Sequence, residues 1–175
     1  MSEDKTNAKN KIIVCYNGVI LSLCLSIHPN MWVQVPAQVI FLVIFVLTYM
    51  FRSKAEDKSL LDNHMTYLIR TIWIGSLFFC IGFIPGCIWF WEAGEHSLML
   101  DYVADMMGGA YLDPLVAQAA YEEMMKQYMA VNKDLLIKIG IITLGPSLAY
   151  MLYRMVKGLL RGAKGYRIMN VESWF

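Results

Sequence analysis

The residues best suited to chemistry in this sequence are methionines and one histidine in a polar segment, residues 92–134. Thioether and imidazole groups bind copper, and thioethers in particular select Cu(I). The spacing of Met125 and Met129 would place two sulfurs on one face of a helix. The candidate ligands are His96, Met124, Met125 and Met129. Because methionine on an amphipathic helix is also a common packing residue, Cu(I) handling is an alternative interpretation and not the leading one.

No other set of side chains forms a catalytic pattern. No serine or cysteine has a general base at a matching position, so nucleophilic catalysis is not indicated. His28, His64 and His96 lie at the edges of apolar segments or outside them, which argues against haem. The centres of the apolar segments lack ionisable side chains, which a transporter or proton relay would need there. The sequence therefore predicts a protein that is not an enzyme and has no cofactor, with a small transporter as a lesser alternative.

Transmembrane helices are the elements that must position these residues. Residues 71–91 carry no charge, and at ~1.5 Å per residue they cover roughly the hydrocarbon core of a bilayer. Three more apolar stretches begin near Ile12, Val33 and Leu135. With 58% hydrophobic residues in 175, the chain has room for one membrane bundle and one small extramembrane element. We predict an all-α membrane protein with four transmembrane helices and a helical acidic extracytoplasmic loop between spans three and four.

Charge predicts the orientation of these segments. The predicted parts are an N-terminus (1–11), spans one to three (12–91), the loop (92–134), span four (135–156) and a basic tail (157–175). The loop carries eight acidic and two basic residues, a net charge of −6, whereas twelve basic residues collect on the other side. Basic residues favour the cytoplasmic side. Both termini are therefore predicted to be cytoplasmic.

Small residues predict where the membrane helices pack. They recur every four residues in span one and form a GxxxG pair in span three, and small faces let helix backbones approach closely in a bilayer. The predicted packing residues are Gly18, Ser22, Ser26, Gly82 and Gly86. We expect the two faces to contact each other or to receive another helix. Asn17 lies beside the first face and is predicted to hydrogen-bond a neighbouring helix.

The acidic loop is predicted to contain two helices. One covers residues 97–107, and Asp113 with Pro114 begins the second with a cap followed by an N1 proline. An apolar stripe on the second helix is the predicted partner-binding surface. Its residues are Tyr121, Met124, Tyr128 and Val131. A partner with basic residues on its outer face would complement the carboxylates of the loop.

Three motifs in this chain also occur in a known group of proteins. The matching residues are His64, Tyr67, Ile69-Arg70-Thr71 and Trp73-Ile74-Gly75, then Tyr153-Arg154 and Val156-Lys157-Gly158-Leu159, then Asn170-Val171-Glu172-Ser173-Trp174-Phe175. In this order they resemble small bacterial inner-membrane proteins of unknown function, the Tic20-like domain-of-unknown-function group. The resemblance implies a compact bundle in the bacterial inner membrane and no established activity. The acidic segment 92–134 departs from that group, whose members are short there.

Together these features predict a non-enzymatic accessory or scaffold subunit of a bacterial inner-membrane protein complex. It would dock through its helix faces and the acidic outer loop. The expected partners are the lipid bilayer and other inner-membrane subunits or further copies of the chain, and no nucleic acid is expected.

The predicted topology is testable by thiol labelling of intact cells. We expect cysteines introduced by Ser2→Cys and Ser173→Cys to be protected from a membrane-impermeant reagent, and a cysteine introduced by Ser97→Cys to be labelled. The reason is that the loop is predicted to face the outside, whereas both termini are predicted to be cytoplasmic. Labelling of the Ser173→Cys variant without permeabilisation would overturn the orientation.

Overall fold

The computed structural model describes residues 2–26, 28 and 30–171 of the chain, and side chains from residue 5 onwards within those ranges. Within them every regular element is a helix. The helices are α1 (Ser2–Ser26), α2 (Met31–Ser53), α3 (Leu60–Ala93), α4 (Ser97–Met107), α5 (Pro114–Val131), α6 (Lys133–Ile139), a π-helical segment (Gly140–Leu144) and α7 (Gly145–Lys164).

Four helical segments are long and apolar enough to cross a membrane. They are Lys5–Ser26, Met31–Ser53, Leu60–Ala93 and Lys133–Lys164. The predicted all-α architecture with four helices suited to span a bilayer is thereby confirmed, as expected for a multi-pass membrane protein. Two helices lie outside these segments, α4 and α5, and α4 covers the same residues as the predicted short helix.

The chain divides into two compact units. The first unit comprises Met1–Phe78 and Ser147–Phe175, and the second comprises Phe79–Pro146. In the first unit, side chains from α1, α2, α3 and α7 form a common core. Its fully buried members include Ile12, Cys15, Tyr16, Val19, Met65, Leu68 and Met155.

Glycines of α7 let it lie close to α1 in the first unit. A Cβ atom on Gly158 would overlap the ring and hydroxyl of Tyr16, and one on Gly162 would overlap the side chain of Ile12. Gly158 and Gly162 form a GxxxG pair, the spacing that permits close helix contact. Both lie in the predicted basic tail, residues 157–175, whereas α7 continues to Lys164 and buries them.

The segment after α7 folds back onto the start of α3. Gly165, with φ of +76°, allows the chain to turn away from the helix. The buried Asn63 accepts a 2.7 Å hydrogen bond from the Ile168 backbone N–H and donates a 3.1 Å bond to the Ile168 carbonyl. Both polar groups of Ile168 are thus paired with one side chain, which fixes this segment to α3.

A π-helical segment precedes Pro146 in the second unit. A proline in a helix lacks an N–H group, and its ring clashes with the carbonyl four residues earlier. Here the Gly145 N–H donates to the Gly140 carbonyl, five residues back, which is the π-helical pattern. The sequence predicts a kink at Gly145-Pro146, and the wider turn shows how the helix accommodates the proline.

The Asn63 clamp generates a prediction about the tail. In an Asn63→Asp variant the donated bond is lost and a carboxylate oxygen faces the Ile168 carbonyl, which we expect to cost about 1–3 kcal/mol of local stability. Trypsin should therefore cleave after the exposed Arg167 faster than in the parent protein. Asn170→Asp is the matched control, because it adds the same charge at an exposed position. Equal cleavage of the two variants would contradict the assigned role of the clamp.

Candidate functional site

A buried arginine is the most unusual polar feature of the first unit. Arg154 is 0% exposed. Its guanidinium carbon lies 4.2 Å from the centre of the Tyr67 ring. Its Nε donates a 3.0 Å hydrogen bond to the Thr71 hydroxyl, and its Nη1 donates a 3.2 Å bond to the Tyr150 hydroxyl. The charge is therefore held by an aromatic face and two hydroxyl oxygens.

Arg154 is one of the twelve basic residues predicted on the cytoplasmic side, and its side chain is buried within the first unit. A signal for this was present in the spacing of α7. The buried residues of that helix follow one another at steps of three or four, except for one adjacent pair, and they are Ser147, Met151, Arg154, Met155, Gly158 and Gly162. Arg154 lies on that stripe, so a helical pattern centred on the small residues would have predicted its burial.

His64 is also buried in the first unit, and both of its ring nitrogens are within hydrogen-bonding distance of a partner. Its Nε2 lies 2.9 Å from the Tyr166 carbonyl oxygen, and its Nδ1 lies 3.4 Å from the Tyr16 hydroxyl. Because a carbonyl can only accept, Nε2 is the nitrogen that donates, to the Tyr166 carbonyl. The two contacts join α1, α3 and the tail. This is a structural role for a residue at the edge of the predicted span.

The predicted small face of span one receives α2. A Cβ atom on Gly18 would lie 2.7 Å from the Ile44 side chain. Ser22 is buried, and the Ser26 hydroxyl accepts a 2.9 Å hydrogen bond from Gln38. The three residues therefore line one close contact between neighbouring helices of the first unit.

The predicted GxxxG face of span three receives the π-helical segment and α6. A Cβ atom on Gly82 would overlap the backbone carbonyl of Thr143. One on Gly86 would lie 3.0 Å from the Thr143 hydroxyl and 3.2 Å from the Ile139 side chain. Each of the two small faces therefore receives another helical segment, which is the second of the two predicted arrangements.

In the second unit, the turn between α3 and α4 is fixed to the end of α5. The Glu95 N–H donates a 2.8 Å bond to the buried Asn132 side chain, which donates a 2.9 Å bond back to the Glu95 carbonyl. The Glu95 carboxylate accepts from the Ser97 N–H at 3.1 Å, and this bond lowers the pKa of the carboxyl. As with Asn63 and Ile168, one asparagine side chain accepts from the backbone N–H and donates to the backbone carbonyl of a single distant residue.

The predicted partner-binding stripe is divided by the structure. Met124 and Tyr128 are 9% and 7% exposed, so they belong to the interior of the second unit. Burial also raises the pKa of the Tyr128 hydroxyl. Tyr121 and Val131 are 46% and 59% exposed and remain on the surface. A helical stripe predicts an apolar face, but it does not tell whether that face packs internally or receives a partner.

The candidate copper ligands differ in their accessibility. His96 has both nitrogens in hydrogen bonds, Nδ1 with the Tyr128 hydroxyl at 2.8 Å and Nε2 with the Trp91 carbonyl at 3.1 Å. Ligating a metal would cost it one of these bonds. Met124 is buried, Met125 is half-buried and Met129 is exposed. Cu(I) binding by these residues stays a prediction.

The contact of Gly82 with a backbone carbonyl means that even one added methyl group tests the packing. We expect Gly82→Ala to destabilise the protein by about 1–3 kcal/mol, because a carbonyl in a helix cannot move aside as a side chain can. Gly86→Ala should cost less, since its neighbours are side-chain atoms. Thermal unfolding in detergent measures both.

Gly140→Ala is the matched control for these variants. Nothing lies within 4 Å of a Cβ atom at Gly140, and its backbone has ordinary helical angles, so alanine should be neutral or slightly stabilising there. A loss of stability at Gly140 as large as that at Gly82 would mean that the close contact is not the cause.

Comparison of the chain with protein-family models, curated proteins and solved structures gives no match. The resemblance carried by residues 64–75, 153–159 and 170–175 stays a prediction. Of these, residues 172–175 lie outside the part that the structure describes.

Proposed function

We propose that the protein is a non-enzymatic accessory or scaffold subunit of a bacterial inner-membrane complex, and that the hairpin of α4 and α5 binds a partner subunit. The observation that carries the proposal is the apolar surface of this hairpin. Met107, Leu112 and Leu115 are 85%, 90% and 76% exposed, yet they lie outside the four apolar spans. Exposed apolar patches outside a bilayer are typical of interaction sites.

Tyrosine contacts support a hairpin with a preformed shape. The Tyr102 ring stacks on Tyr111 at 5.6 Å and lies 5.9 Å from Tyr121. Its hydroxyl donates a 3.3 Å bond to the Ala117 carbonyl. A surface that is ordered before binding loses less conformational entropy when a partner docks.

The charge of the hairpin favours a protein partner over a lipid surface. Exposed carboxylates flank the apolar residues, and those on or next to the two helices are Asp101, Asp105, Asp113, Glu122 and Glu123. An anionic membrane surface would repel them. A subunit with basic residues around an apolar pocket would complement both features. In the proposed orientation this partner surface lies outside the cytoplasm, consistent with the positive-inside charge distribution.

The test uses a variant that changes the hairpin surface and leaves its interior intact. Purified in mild detergent, the parent protein should bring down a stoichiometric partner that mass spectrometry identifies. Leu112→Asn with Leu115→Asn should reduce its recovery about tenfold or more, because central apolar anchors carry most of the binding energy. Added salt should weaken capture as well. A Tyr128 change is unsuitable, since that side chain is buried.

Met169→Asn is the matched control, because Met169 in the tail is also 90% exposed. It should retain the partner. A chain that elutes alone in mild detergent, with the hairpin freely cut by protease in native membranes, would reject the proposal. Equal losses from the hairpin and tail variants would reject the assigned surface.

A further inference from the structure

One narrow stripe of α1 stays exposed within its membrane span. Between residues 11 and 25, the exposed side chains are those of Val14, Asn17, Leu21 and Cys24. Their successive spacings are three, four and three residues. The opposite side of the helix is buried in the core of the first unit.

This spacing marks one side of a helix, and the seam of a helix pair has the same spacing. Steps of three and four residues give an average period of 3.5, which keeps one line of side chains facing a partner helix in a left-handed supercoil. In a parallel pair related by a two-fold axis, residues on the seam meet their own equivalents in the other copy.

Asn17 is the residue on the stripe that lipid cannot satisfy. It lies about 9 Å along the helix from Lys11 and about 14 Å from Ser26, at a rise of ~1.5 Å per residue. Within the described residues its amide has no hydrogen-bond partner. The predicted hydrogen bond of Asn17 to a neighbouring helix is therefore not formed within the described residues. An unpaired amide in hydrocarbon is unfavourable by several kcal/mol.

We propose that α1 pairs in parallel with α1 of a second copy of this chain, with the Asn17 amides of the two copies hydrogen-bonded across the two-fold axis. An amide both donates and accepts, so two identical amides satisfy each other. A shallow groove of about 560 Å³ runs along this face, with Val14, Asn17, Gly18 and Leu21 in its lining.

This interface is separate from the α4–α5 hairpin and does not depend on the proposed function. A hairpin partner and a second copy would occupy different surfaces. The dimer test uses cross-linking within native membranes, whereas the hairpin test uses co-purification, so either proposal can fail alone.

Cys24 provides a native probe of the seam. In a chain carrying Cys15→Ala, Cys80→Ala and Cys87→Ala, copper–phenanthroline oxidation of native membranes should give a reducible species of twice the monomer mass. The control adds Cys24→Ala and Val43→Cys to the same background. Val43 is 52% exposed on α2, and this control should stay monomeric under the same conditions.

Asn17→Leu tests the hydrogen bond itself. It should weaken self-association about three- to thirty-fold, the range that interhelical hydrogen bonds in membranes give, while Asn17→Gln keeps an amide and should retain much of the dimer. Thermal unfolding of the Asn17→Leu monomer should be unchanged, because the side chain is exposed. Equal cross-linking through Cys24 and the Val43→Cys position, no effect of Asn17→Leu, or cross-linking of Cys24 to a different protein would each overturn the proposal.

Discussion

The packing of the first unit depends on the guanidinium of Arg154 between α3 and α7. Removing such a group from water costs several kcal/mol. The Tyr67 ring and the hydroxyls of Thr71 and Tyr150 offset this cost, since a desolvated cation–π contact contributes about 2 kcal/mol and each bond to a charged group about 1.5–3 kcal/mol. The cost of removing the guanidinium from water and the sum of these favourable contacts are similar in size. Arg154 therefore links the two helices without a large net gain in stability.

Hydrogen bonding of polar groups also explains how one irregular segment is held in each unit. Asn63 and Asn132 each use their amide oxygen and nitrogen on the backbone of one distant residue, Ile168 and Glu95 respectively. A single side chain thereby pairs an N–H and a carbonyl of an irregular segment. Buried backbone groups need such partners, and the two clamps supply them where no helix does. The Asn17 amide differs because the described chain gives it none.

The features that sequence could predict are local ones. Apolar stretches of sufficient length predict the spans, and Asp113 followed by Pro114 predicts the start of α5, where the Asp113 side chain accepts from the Leu115 N–H. The burial of Arg154 and the fit of Gly158 against Tyr16 depend on residues far apart in the chain. The division of the predicted partner stripe has the same origin, because the Phe90 and His96 rings that face Tyr128 come from outside its helix.

The two sides of α1 separate what a mutation in this helix can change. Substitutions at Tyr16 or Val19, which are fully buried, alter the fold of each individual molecule. Substitutions on the exposed stripe leave the fold intact and alter only what the molecule meets in the membrane. Selection can therefore act on assembly and on folding through one helix without forcing a compromise between them. Over evolutionary time the outer stripe is free to change together with its partner, while the inner side must stay matched to α2, α3 and α7.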